Sequence, residues 1–134
     1  ENNIKNFKIK NYPRPVNLDL INEFKKQKLK KNFIKNNLYE TLDKTKLAIS
    51  TYNSTTFLEL ITINKPCLLY WDANHWPLNN NSRTYFNKLK EAGIFHTNIN
   101  SLVKKIQQIS PNINKWWYGK KNQNIIQSFR NKFC

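Results

Sequence analysis

Glycine, cysteine and acidic residues are scarce in this chain, and methionine is absent. Its 134 residues hold 2 Gly, 2 Cys, no Met, and 8 Asp+Glu against 23 Lys+Arg. Two glycines exclude a Gly-rich phosphate loop of the P-loop kind, which needs several close together so that backbone amides can approach a phosphate. Two cysteines make no disulfide framework, and the spacing of His, Cys, Asp and Glu fits no zinc pattern, so no metal is expected. Cys67 lies inside an apolar run and reads as a small buried hydrophobe, and a reducing cytoplasm is the simplest compartment for such a chain. No apolar run approaches the roughly 20 residues of a membrane span, and no secretory signal pattern opens the chain. The start at Glu1 and the missing methionine lead us to expect a piece of a longer protein, its C-terminal half. The length suits one domain with a core of its own.

What is abundant is positive charge: the net charge is +15. Nucleic acid, anionic lipid and phosphorylated small molecules are the partners such a balance favours. The basic residues are nearly all Lys, however, and they accompany Asn, Ile, Phe and Tyr, as an A/T-biased coding sequence produces. Much of the charge therefore reads as compositional, on a solvated surface.

Along the chain, Phe7–Lys10 alternates as a short strand and Tyr12-Pro13-Arg14-Pro15 as a turn. Asn17 caps a helix with Leu18, Leu20, Ile21 and Phe24, which runs into the basic cluster Lys25–Lys31. Asn36 or Asn37 caps a short helix through Leu38 and Leu42. Leu47–Ser50 and Cys67–Trp71 read as buried strands either side of a helix over 54–63. Ser82 is expected to cap a helix carrying Tyr85, Phe86 and Leu89, stopped by Gly93. Ile94-Phe95-His96 reads as a third strand and Ser101–Ile109 as an amphipathic helix ending before Pro111. Trp116-Trp117 leads into a last helix with Ile125, Ile126, Phe129 and Phe133. Continuous apolar strands separated by helices predict an α/β fold, a parallel sheet covered on both faces. One domain over 1–134 is expected, with 111–134 as a C-terminal helical tail.

The segment from Thr51 to Glu59 carries the most information. It leaves one strand, passes through hydroxyls and opens a helix, so that Asn53, Ser54, Thr55 and Thr56 lie at a helix N-terminus beside the carboxyl ends of two strands. First-turn N–H groups lack partners and the helix dipole favours negative charge, so a diphosphate fits there. The competing reading is a plain N-cap. Switch points of βαβ sheets are frequent ligand sites, which keeps the diphosphate reading open beside the plain cap. Glu59 lies about one turn on; it can grip sugar or ribose hydroxyls, or close a capping box with Thr56. Asp72, Asn74, His75 and Trp76 follow the second strand. His75, with Asp72, is the candidate acid–base group because imidazole titrates near neutrality, and Trp76 is a candidate stacking platform. A polar loop with one packed Trp is the alternative. Arg83 can meet a phosphate bidentately or simply face water. Trp116 and Trp117 read as packing anchors, one buried and one exposed.

Thr51-Tyr52-Asn53-Ser54-Thr55-Thr56-Phe57-Leu58-Glu59, Pro66, Trp71, Asn74-His75-Trp76, Tyr85-Phe86, Leu89 and Gly93-Ile94-Phe95-His96 together resemble a family of transferases of bacterial surface-carbohydrate biosynthesis, found among O-antigen and capsule genes. Trp116-Trp117 and Phe133-Cys134 are similar too, and the likeness is strongest from about Tyr39 to Cys134. The resemblance implies a Rossmann-like domain, the C-terminal, donor-binding half of a two-domain GT-B glycosyltransferase. A nucleotide-sugar would be the donor, with no separate cofactor. A missing N-terminal domain would be the intramolecular partner, and the setting would be cytoplasmic, peripheral at the inner membrane against its anionic surface. With so few glycines, the phosphate surface would rest on Ser, Thr and Asn instead. In such enzymes the acceptor site and often the catalytic base come from the other domain, so this chain alone would bind weakly and turn over little.

The alternative is a small basic nucleic-acid-binding module. Lys25–Lys31, Lys104-Lys105 and Lys120-Lys121 would contact phosphates while Trp and Tyr stack on bases. The chain contains no nucleic-acid reader motif, and its Lys residues spread over nearly every element, so nucleic acid is the less favoured partner.

Overall fold

The computed structural model describes residues 7–10, 26, 34, 37–72 and 74–134, and the chain divides into two compact units, Glu1–Lys44 and Thr45–Cys134. In the first unit Ile9 forms a single bridge, and its carbonyl accepts the Ile34 N–H at 3.0 Å. Helix α1, Leu38–Leu42, begins at Asn37, whose side chain accepts the Tyr39 N–H at 3.1 Å. Of the two candidate caps the chain uses Asn37. The expected turn over 12–15, the helix from Asn17 and most of the cluster Lys25–Lys31 lie outside the described residues.

The second unit runs β1 (Ala48–Ser50), α2 (Thr55–Thr62), β2 (Cys67–Tyr70), α3 (Asn80–Glu91), β3 (Phe95–His96), α4 (Ile99–Ile109), α5 (Ile113–Trp117) and α6 (Lys120–Phe133). The three strands are parallel in the order β1-β2-β3, with Ser50 opposite Leu69 and Tyr70 opposite His96. This is the α/β arrangement expected from the apolar strand runs, with helices flanking a small sheet. Strand residues alternate between faces, and the two faces pack differently. Leu68 packs with Leu102 and Ile109 of α4, flanked by Tyr70, Ile113 and Trp116. On the aromatic side, Trp71 contacts the rings of Phe57 (α2), Phe86 (α3) and Phe95 (β3), and Phe86 in turn contacts Phe129 (α6).

Consecutive strand order has a consequence for the site. Right-handed crossovers that advance one strand at a time put both crossover helices on the same side of the sheet. Accordingly α2 and α3 both pack on α6. Among the described strands the order never reverses, so none of them forms a switch point beside Thr51–Glu59, and that site rests on the carboxyl edge and on the helix start itself.

Cap positions also depart from expectation. Helix α3 starts at Asn80, capped by Asn79, whose side chain accepts the Ser82 N–H at 2.8 Å. Ser82 is therefore buried in the first turn, and its hydroxyl donates to the Asn79 carbonyl at 3.0 Å. Helix α4 begins at Ile99, two residues before Ser101, with Asn98 as its cap. Gly93 ends α3 as expected: its φ of 68° is the left-handed conformation that suits glycine, and a Cβ there would run into the Lys105 side chain. Trp116-Trp117 closes a short helix of its own, α5, before α6 begins.

The two tryptophans divide less sharply than the buried-and-exposed pair anticipated. Trp117 is fully buried and donates its indole N–H to Asn64 Oδ1 at 2.9 Å. Asn64, at φ 54°, is the left-handed residue between α2 and β2, and Gln123 of α6 donates to the same oxygen at 3.2 Å. Trp116 is half-buried, with the Lys105 ammonium 6.0 Å from its ring centre.

Cys67 is fully buried and Cys134 exposed. Burial pushes the Cys67 thiol pKa far above its ordinary value, because a thiolate there would be cut off from water. Thiolate is the reactive form. In native protein at pH 8 a disulfide reagent is therefore expected to titrate one thiol quickly, Cys134, and the second only on adding denaturant. Two thiols reacting at equal rates without denaturant would contradict the packing of β2.

Candidate functional site at the carboxyl edge of the sheet

Two loops leave the carboxyl edge side by side. Ser50 pairs with Leu69, and neighbouring strands lie about 4.8 Å apart. Loop 51–54 and loop 71–79 therefore start close together. They meet again at a groove of about 280 Å³, to which Asn53 contributes from the first loop and Pro77, Leu78 and Asn79 from the second. The floor and walls come from the helices behind: Phe57 and Leu58 of α2, Ser82 and Phe86 of α3, Phe129 and Phe133 of α6.

Ser54 occupies the N-cap position of α2 in extended backbone (φ −137°, ψ 172°). Its hydroxyl makes no cap hydrogen bond, although the caps Asn37, Asn79, Asn98 and Asn112 all accept a first-turn amide. The Ser54 oxygen is buried and has no hydrogen-bond partner. The first turn of α2 contains no acidic residue to answer the dipole. With Ser54 at the cap, Thr56 is the second helical residue and Glu59 the fifth. The Thr56/Glu59 capping box is excluded by that register, since the box pairs the cap with the third helical residue. Thr55 is exposed, and Thr56 and Glu59 are half-buried.

The second loop is folded around Asp72. One carboxylate oxygen accepts the Asn74 N–H at 2.8 Å, and the other sits 3.0 Å from His75 Nδ1. The Asp72 carbonyl accepts the N–H groups of His75 at 3.1 Å and Trp76 at 3.0 Å. The Asn74 amide, helped by His75, holds the Asp72 carboxyl below its ordinary pKa. A charged Asp72 fixes the proton of neutral His75 on Nδ1, and Nε2 then carries the lone pair. Both side chains are exposed, at 76% for His75 and 50% for Asp72, and Trp76 is 47% exposed. These groups are thus held in a set arrangement at a wet surface.

Of the residues expected to form the site, Asn53 alone lines the groove. Ser54, Thr55 and Thr56 lie on the helix start next to it, while Asp72, Asn74, His75 and Trp76 form the turn preceding its Pro77–Asn79 wall. Glu59 is further along α2, and Arg83 is exposed in the first turns of α3. Among the described residues no three His, Cys, Asp or Glu gather as a metal site, and no helix is long and apolar enough to cross a membrane.

Sequence reasoning passed over His96, which ends β3 buried at 6% exposure. Its Nε2 is 3.0 Å from the Gly93 carbonyl and its Nδ1 2.9 Å from Ser101 Oγ. Burial, with Lys105 and Lys90 nearby, lowers its pKa below the ordinary 6.5. The imidazole is then neutral, with its proton on Nε2 donated to the Gly93 carbonyl. Below about pH 6.5 the unfolded chain takes up a proton that the folded chain resists, so stability falls as pH drops from 6.5 towards the folded value. Melting of His96→Gln should lose less stability between pH 7.5 and pH 5.5 than the parent; an equal loss would take His96 out of the acid response.

No curated protein and no solved structure matches the chain. The family model described as LIC12162 family transferase matches residues 1–134. That match takes in both carboxyl-edge loops, the helix start at Ser54 and the aromatic layer beneath them, and the chain belongs to the LIC12162 transferase family.

Proposed function

We propose that this chain is the donor-binding part of a transferase of bacterial surface-carbohydrate biosynthesis, the C-terminal half of a two-domain GT-B architecture, and that its donor is a nucleotide-activated sugar. The observation that carries this reading is the start of α2 at the carboxyl edge of the parallel sheet. Its N-cap hydroxyl leaves the first-turn amides untouched, its first turn lacks an acid, and its flanking residues are Asn53, Thr55 and Thr56. Such an end attracts phosphate. Family membership supports the transfer chemistry.

In this reading the acceptor oxygen bonds to the donor sugar while the sugar–phosphate bond breaks, and the nucleotide leaves with the electron pair. Its growing charge is met by the α2 amides and by the hydroxyls of Ser54, Thr55 and Thr56, fixed donors that need no reorganisation. His75, oriented by Asp72, donates to the leaving phosphate from Nε2–H in its doubly protonated form, and Glu59, Asn74, Trp76 and Arg83 contact the remainder of the donor. The acceptor and its base belong to the missing domain. The setting is the cytoplasmic face of the inner membrane.

An amide NMR titration with CMP, CDP, UDP and GDP at physiological salt tests this, beside a short single-stranded oligonucleotide. Saturable shifts from one nucleotide at Asn53–Glu59 and Asp72–Trp76 are expected. Shifts only with the oligonucleotide, spread over Lys104-Lys105 and Lys120-Lys121 and erased by salt, would favour the nucleic-acid-binding alternative instead.

A further inference from the structure

The groove beside the α2 start has a chemical character that the phosphate reading does not use. At about 280 Å³ it falls just short of the roughly 300–1,000 Å³ that takes a whole drug-sized ligand, so it suits one ring system of a larger molecule. Phe57, Phe86 and Phe129 form a nearly buried floor, and Leu58, Leu78 and Phe133 are half-buried around it. The polar groups of the groove are few and directed. Asn79 Oδ1 is occupied by the Ser82 N–H, which assigns the amide and leaves Nδ2 to donate elsewhere. The Ser82 hydroxyl gives its proton to the Asn79 carbonyl, so its oxygen remains an acceptor. Donor and acceptor thus stand three residues apart on one helical turn, with the Asn53 amide on the other loop.

We propose that this groove seats a nucleobase, its face against the aromatic and leucine walls and its edge read by Asn79 Nδ2 and Ser82 Oγ. The inference rests on the donor-binding reading and names the half of the nucleotide that the α2 start does not hold. A flat heteroaromatic ring matches both parts of the lining at once. An alkyl chain would match the walls but would desolvate the Asn79 amide without giving it a partner, which is unfavourable by about 1–3 kcal/mol. Asn53 joins the groove to Ser54 through one peptide bond, so the groove and the helix start are contiguous.

Uncharged nucleosides and inorganic pyrophosphate separate the two halves. Titrating the 134-residue chain with uridine, cytidine, guanosine and adenosine should shift Leu58, Leu78, Phe133 and the Asn79 side-chain amide for at least one of them. Asn79→Asp keeps the cap acceptor, and Asp caps as well as Asn, but it removes the donor. Its melting midpoint should match the parent while its nucleoside affinity falls tenfold or more. If no nucleoside perturbs the groove, or if Asn79→Asp binds as tightly as the parent or more tightly, the nucleobase assignment is wrong. Pyrophosphate shifts at Asn53–Thr56 alongside either of those results would leave the donor-binding reading standing without it.

Discussion

Replacing Phe86 with Ala is expected to destabilise the second unit by about 3–5 kcal/mol, the usual range for removing a buried aromatic ring. Phe86 is 4% exposed and sits at the centre of the aromatic layer. Its ring meets Phe57 at 6.0 Å, Trp71 at 5.7 Å, Phe95 at 5.3 Å and Phe129 at 5.3 Å, all near edge-to-face. Those four partners come from α2, the end of β2, β3 and α6, so the single ring ties four parts of the unit to α3. Small domains have only about 5–15 kcal/mol of net stability, and such a loss takes a large share of it. Urea unfolding followed by Trp fluorescence would measure it. Ile99→Ala, at a 50% exposed position on α4, is the comparison and should be near neutral. A Phe86→Ala loss no greater than the roughly 0.5 kcal/mol of a surface change would mean that the layer is not packed as described.

Thr55→Glu is expected to separate stability from binding, moving them in opposite directions. Thr55 is exposed in the first turn of α2, where no acid is present. A carboxylate there complements the helix dipole and should raise stability by about 0.3–1 kcal/mol. A diphosphate competing for the same amides would meet that carboxylate at close range. Two like charges 4 Å apart repel by about 1 kcal/mol in water and about 4 kcal/mol near a protein surface. Nucleotide affinity should therefore fall about fivefold or more. Calorimetric melting and a nucleotide titration on the same sample give both numbers. Unchanged affinity in a stabilised variant would mean that the α2 start is an ordinary helix end.

The layout of the second unit was largely legible. Leu47–Ser50 and Cys67–Trp71 are apolar runs too short for helices and bounded by turn residues, and each contains a strand of the parallel sheet, Ala48–Ser50 and Cys67–Tyr70; the second is buried as expected, but Ile49 in the first is exposed. Gly93 marks a helix end because its φ of 68° suits few other residues, and Asn37 because its side chain accepts a first-turn amide. Cap register was harder. Asn79 and Ser82 are both good caps, as are Ser54 and Thr56, and only the extended backbone at Asn79 and Ser54 decides where each helix begins. The groove was least legible. Phe129 and Phe133 were visible as one apolar helix face, but periodicity does not say which distant residues such a face will meet. Their approach to Leu58, Leu78 and Ser82 arises from α6 folding back onto α2 and α3. Likewise His96 gives no local sign that it will turn back to bond the Gly93 carbonyl.

The proposed phosphate site lies at the start of α2, on the carboxyl edge of the sheet. Crystals of the 134-residue chain soaked with the nucleoside diphosphate selected by titration would test it most directly. Phosphate oxygens are expected within hydrogen-bond distance of the Thr55 and Thr56 amides, with His75 facing the same group. Phosphates ordered instead among Lys104, Lys105, Lys120 and Lys121, with the α2 start unchanged, would contradict it.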